Sequence, residues 1–228
     1  MKTSPFQVVS DFEAEIAAWA GAAYAVAVES CSAALFLSCL YRRVHRGPEA
    51  VLPAYTYPSA ACAVLHAGGW LRFEARPWSG VYEIAPFGIW DGALRFRPLM
   101  YERGLHCLSF HAKKHLAIGR GGMILTHDDA AVAWLRRMRF DGRGPYPLDR
   151  DALGLAGWNM YLEPEQASRG LRLFEMLQAR GILPDLDVPA QGYLDLRTVG
   201  RYRTLAARNY RRAHCPSCAP GDEEHEGA

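Results

Sequence analysis

Long uninterrupted apolar runs are missing from this 228-residue sequence. Its most hydrophobic stretch, GAAYAVAVESCSAALFLSCL (21–40), is broken by Glu29 and by serines. A membrane-spanning helix needs about 20 predominantly apolar residues, so none is expected. The amino terminus, MKTSPFQVVSDFE, lacks the apolar core of a secretion signal, which makes the cytoplasm the expected compartment and no membrane partner expected. An excess of one charge is also absent. Lys and Arg number 26 against 24 Asp and Glu, and a formal charge of +2 excludes strong long-range attraction to nucleic acid. A disulfide framework is not suggested either: the six cysteines, Cys31, Cys39, Cys62, Cys107, Cys215 and Cys218, lie mostly in apolar segments, where a free thiol behaves as a small hydrophobe. HCPSC (214–218) offers too few neighbouring ligands for a zinc site, so no metal is expected.

What the chain does have is 50% hydrophobic and 22% charged residues, enough for one sizeable core. Ser10 and Glu13 form a capping-box pattern, with Phe12, Ile16 and Trp19 at helical spacing before Gly21. YAVAV (24–28) reads as a buried strand, SCSAALFLSCLYRRV (30–44) as a helix, and AVLPAY (50–55) and WLRFEA (70–75) as strands around a helical PSAACAVLHAG. Strands alternating with helices predict an α/β fold with a mainly parallel sheet and helices on both faces. GVYEIAPFG (80–88) and IWDGAL (89–94) both read as strands, yet no crossover fits between them, so one is not a strand or the topology is altered there. GLHCLSF (104–110) and GGMILTH (121–127) suit an antiparallel, hairpin-like pair, followed by a helix that Asp128 or Asp129 caps. A further helix, PEQASRGLRLFEMLQARG, ends at Gly181; the basic stretch 193–214 reads as helical and the tail 218–228 as disordered.

The loop in SFHAKKHLAIGRGGMILT (109–126) sets two lysines between apolar segments. Such a pair is ordinarily two solvated charges. Here the apolar approach predicts partial desolvation, which favours the neutral, nucleophilic amine.

Five segments in order resemble the DegT/DnrJ/EryC1/StrS family of aminotransferases: VSDFEAEIAAWAGAAYAVAVESCSAALFLSCL, LPAYTYPSAACAVLHAGG, IWDGA, SFHAKKHLAIGRGGMILTHD and GWNMYLEPEQAS. The resemblance implies the large domain of the fold-type-I pyridoxal-phosphate transferases over 1–160, then a helical linker and the remnant of a shortened second domain over 161–228. It implies pyridoxal 5'-phosphate as cofactor, held as an internal aldimine by Lys114, which stands three residues after the histidine of S-F-H-x-x-K; Lys113 fills a variable position. Asp91 corresponds to the acid that pairs with the pyridine nitrogen, Ser32 and Ala33 to the phosphate site at a helix start, Ser109 to a second phosphate contact, and Tyr57 to an aromatic stacked on the ring. Asn159 corresponds to a residue that reaches the phosphate of a neighbouring subunit, which implies a homodimer with a shared active site.

The implied reaction moves an amino group, from glutamate, to a nucleotide-linked keto-sugar. Departures from the family's pattern are Cys31 for a glycine, Gly92 for an alanine, Leu94 for a Gln or His that contacts the cofactor, Arg120 for a glutamate and Tyr161 for an arginine, and the interval before IWDGA lacks a helix, a strand and a helix. They open a second reading: a catalytically silent protein of the same fold that binds or regulates a full-length relative.

Overall fold

The computed structural model describes residues 4–144, 148–151, 154–186, 192–200 and 202. The HCPSC segment, the expected disordered tail and most of the basic stretch lie outside the described residues.

Helix α1 (Gln7–Ala20) leads into strand β1 (Tyr24–Val28). Gly21, in the left-handed region at φ 77°, ends the helix as its spacing predicts. The predicted capping box does not form. Phe6 stands at the helix start without a side-chain cap, wedged edge-on against the Phe140 and Tyr161 rings, and this anchor lets the helix begin a turn before Ser10. Glu13 is used elsewhere. It is buried, and its carboxylate accepts from the Ala27 N–H at 2.9 Å, from Arg136 at 3.0 Å and from Arg139.

Helix α2 (Cys31–Tyr41) follows, capped by the Ser30 hydroxyl, which accepts from Ala33 N–H at 3.1 Å. Strands β2 (Ala50–Pro53) and β3 (Leu71–Glu74) are parallel neighbours joined by α3 (Pro58–His66). Next come β4 (Tyr82–Ile84), β5 (Ile89–Asp91), β6 (Leu105–Ser109) and β7 (Gly122–Thr126), then α4 (Asp129–Met138), capped by Asp128, and α5 (Pro164–Gln178). Five strands run in the order β1-β7-β6-β5-β4. A two-way backbone bridge between Val51 and Ala85 joins β2 and β3 to the β4 edge.

The α/β class holds, with a mixed sheet in place of the mainly parallel one expected. Parallel pairing is confined to β2–β3 and β5–β6. Both 80–88 and 89–94 contain strands, and the altered topology is a hairpin: β4 turns back through residues 85–88 and pairs antiparallel with β5, Tyr82 opposite Asp91. A hairpin needs no crossover, so the interval that seemed too short is long enough. β6 and β7 form the expected antiparallel pair around the lysine loop.

Alternation along the strands divides the core in two. Val26, Val28, Cys107 and Ile124 face the side covered by α2, α3 and α4; Ala25, Ala27, Leu108, Met123 and Leu125 face the side of α1 and α5. Phe12 and Phe174 anchor that second side. Among the described residues no helix is long and apolar enough to cross a membrane.

Candidate active site

The site forms where β5 and β6 end and α2 begins. Asp91, the last residue of β5, is buried with 6% exposure. Its Oδ1 accepts from the Ala93 N–H at 3.0 Å and its Oδ2 from the Tyr82 hydroxyl at 2.8 Å. Burial raises its pKa above the ordinary carboxylate range, while these two donors and the charge of Lys114 pull it down.

Lys114 sits in the turn after β6, where its N–H donates to the His111 carbonyl at 2.9 Å. It is half-buried, whereas Lys113 is exposed. Burial lowers the Lys114 pKa; Asp91 and Cys31 act in the opposite direction, so Lys114, Asp91 and Cys31 share one electrostatic environment. This distinguishes the two lysines of the loop. The expected desolvation belongs to Lys114.

The cap on α2 satisfies Ala33, but a helix start leaves several N–H groups without intrahelical acceptors. Ser32 is exposed there, and Ser32 and Ala33 line a cleft of about 640 Å³ together with Glu29, Arg120 and Trp158. Arg120, the charge reversal in the glycine cluster, pairs with Glu29 at 2.7 Å. Ser109 ends β6, and its Oγ accepts from the His111 N–H at 3.4 Å.

Tyr57 stands farther out, 61% exposed at the start of α3. Its ring meets Tyr193 edge-on, 6.4 Å between centroids. Tyr193 stacks on Trp78, 6.2 Å apart and 14° from parallel, and feels the charge of Asp91. Asn159 does not join this group within the chain. Trp158 and Met160 line the cleft, whereas Asn159 is exposed and donates to Asp141 at 3.2 Å.

The remaining departures have local explanations. Leu94 is buried and its carbonyl accepts from Leu186 N–H at 2.8 Å, which draws the segment after α5 over this end of the sheet. The ion pair Arg95–Asp185 at 2.6 Å and the contact of His115 Nε2 with the Pro184 carbonyl at 2.8 Å fix the same segment beside Lys114. Tyr161 packs its ring against Phe6 and Phe140.

Sequence reasoning missed Tyr82, Thr56, Trp78 and Tyr193. Tyr82 could have been found by counting both strands of 80–94 as a hairpin, which sets it opposite Asp91; nothing local marks Tyr193, which arrives from more than 100 residues away.

Lys114 and the buried Asp91 carboxylate thus act on each other near the start of α2, in an α/β fold. The chain belongs to the DegT/DnrJ/EryC1/StrS aminotransferase family, whose model matches residues 3–73 and 102–180. Members of this family depend on pyridoxal phosphate. The unmatched interval, 74–101, contains the β4–β5 hairpin and with it Asp91.

Spore coat polysaccharide biosynthesis protein SpsC of Bacillus subtilis is 25% identical over 86% of this chain and 61% of its own length. GDP-perosamine synthase of Caulobacter vibrioides is 24% identical over 75% of this chain and 58% of its own. The chain thus spans about three fifths of these relatives. A DegT/DnrJ/EryC1/StrS aminotransferase from Brucella abortus shares the fold, with a TM-score of 0.64 and 19% identity, covering 75% of this chain and 59% of that one.

Proposed function

We propose that this protein is a pyridoxal-phosphate-dependent aminotransferase that moves an amino group from glutamate to a nucleotide-linked keto-sugar. The observation that carries the reading is that Lys114, half-buried in the turn after β6, lies within the electrostatic reach of the buried Asp91 carboxylate at the end of β5. Family membership supports the reaction class, and the kinship to a polysaccharide biosynthesis protein and to GDP-perosamine synthase supports the sugar and its nucleotide carrier.

The residues fit the cofactor. Each Asp91 oxygen has one protein donor and retains acceptor capacity for a protonated ring nitrogen. The α2 start offers backbone N–H groups and the Ser32 hydroxyl to a phosphate, with the helix dipole favouring the dianion and Ser109 a further contact. Tyr57 and Tyr193 supply aromatic faces at the mouth. When bound, the cofactor supplies the electron sink that aminotransfer requires.

Lys114 Nζ, favoured in its neutral form by burial, would be the group that holds the cofactor through its carbonyl carbon, with loss of water. Once displaced by the amino donor, the same nitrogen would carry a proton between the donor carbon and the cofactor carbon to which it had been attached. Burial raises the Asp91 pKa and its two donors hold it down; its carboxylate would pair with the ring nitrogen and favour the protonated ring. Asn159, on the outside of its own subunit, is available to a neighbour, which supports a homodimer with shared sites.

The test is the visible absorbance of protein loaded with pyridoxal phosphate, before and after glutamate. Wild type and Lys113→Ala should both show the band of lysine-bound cofactor and lose it with glutamate, whereas Lys114→Ala should show none. An intact band in Lys114→Ala would overturn the assignment.

A further inference from the structure

Tyr82 stands within the interval that the family model leaves unmatched. β4 carries it there: the hairpin register sets Tyr82 directly opposite Asp91. Both side chains are buried, and the Tyr82 hydroxyl lies 2.8 Å from Asp91 Oδ2 and 2.7 Å from Thr56 Oγ1. A phenol has one proton to give. Directed to the carboxylate, it leaves the phenol oxygen as acceptor, so the Thr56 hydroxyl donates to Tyr82. The three groups form a one-way chain, Thr56 to Tyr82 to Asp91, with Thr56 itself buried.

We propose that Tyr82 is a positioning residue of the active site: oriented by Thr56, it fixes the Asp91 carboxylate and holds it ionised toward the ring nitrogen of the cofactor. This rests on the cofactor reading above and adds to it a residue that the short hairpin provides.

Geometry makes the case. A buried carboxylate without donors reverts to its neutral form, which could not keep a ring nitrogen protonated. Other groups facing Asp91 do little to prevent that. Cys31 at the α2 start and Cys107 on β6 are thiols whose pKa values are raised by burial, and Tyr193 is likewise raised, so all three are neutral. Lys114 is the one cation acting on Asp91 among these groups, and attachment to a cofactor changes the state of its nitrogen. The Ala93 N–H and the Tyr82 hydroxyl are therefore the permanent donors. Tyr82 is itself held neutral, its pKa raised by burial and by Asp91.

The experiment follows the Asp91 carboxyl by carbon NMR in cofactor-free protein, assigned by its loss in Asp91→Asn. Tyr82→Phe removes a donor to the charged form, so the Asp91 midpoint should rise by about one unit or more, a tenfold or greater weakening of the acid. Thr56→Val should shift it the same way by less. In protein loaded with ring-labelled pyridoxal phosphate, nitrogen NMR should show the ring nitrogen losing its proton at lower pH in Tyr82→Phe than in wild type. A purely structural tyrosine would leave that second signal unmoved.

An unchanged Asp91 midpoint in folded Tyr82→Phe overturns the proposal, as does an unchanged ring-nitrogen titration. Should Tyr82→Phe fail to fold, Thr56→Val decides on the same two readings. Failure of wild type to bind pyridoxal phosphate would sink the cofactor reading instead, while the Asp91 titration still reports the hydrogen bond.

Discussion

Gly92 and His106 occupy one space. A methyl group on Gly92 would collide with His106 Nε2 and come within 3.3 Å of the Cys107 carbonyl, so the glycine beside Asp91 belongs with the histidine on β6. Gly92→Ala should cost about 1–3 kcal/mol in denaturant unfolding, typical of overpacking. In a His106→Ala background most of that penalty should vanish, and an unreduced cost there would refute the pairing. His106 also has a pH signature. Burial and the nearby Arg95 charge lower its pKa to about 4 from 6.5, so the folded state binds fewer protons between those values than the unfolded chain. Its contribution is present above pH 6.5 and is lost as pH falls toward 4; His106→Leu should flatten this part of the stability profile. Arg120 shows a different compensation. Its pairing with Glu29 neutralises the reversed charge, but an arginine this exposed adds at most about 1 kcal/mol.

Among the elements, α1 depends on a charge that its amphipathic pattern does not reveal. Glu13 joins α1 to β1 through Ala27 and to the end of α4 through Arg136 and the capping Arg139, and only 3% of its side chain is exposed. Glu13→Ala should destabilise by about 3–5 kcal/mol, because it strands the partners of a buried ion pair. Arg139, 14% exposed, should matter far more than Arg136 at 48%; equal losses from Arg139→Ala and Arg136→Ala would contradict this account. The β4–β5 hairpin is the other decisive element. Its short return places an antiparallel strand beside β2 and, with it, Tyr82 beside Asp91.

Across the whole molecule, residues far apart in sequence converge on one end of the sheet: Cys31 and Ser32 from α2, Asp91 from β5, Lys114 after β6, and Tyr193 from the segment whose Leu196 N–H donates to the Ala54 carbonyl at 3.0 Å. The proposed shared site makes a prediction at this scale. Lys114→Ala and Asn159→Ala proteins, each deficient alone, should regain glutamate-driven bleaching of the cofactor band after subunits are mixed, since a mixed dimer holds one intact site. No recovery in demonstrated mixed dimers would place Asn159 outside the site. Much was legible beforehand. The helices α2 to α5 and strands β1 to β3, β6 and β7 carry strong local patterns, and the ordered motifs singled out Lys114, Asp91 and the α2 start. Alternation of apolar residues and the order of the motifs are properties of neighbouring residues, so the sequence determined them by itself. The tertiary structure alone decided that Glu13 is an ion-pair centre instead of a cap, that β4 runs antiparallel, and that Tyr82 meets Asp91. Those outcomes depend on which distant groups share a buried space, where hydrogen bonds must be satisfied and volumes must fit.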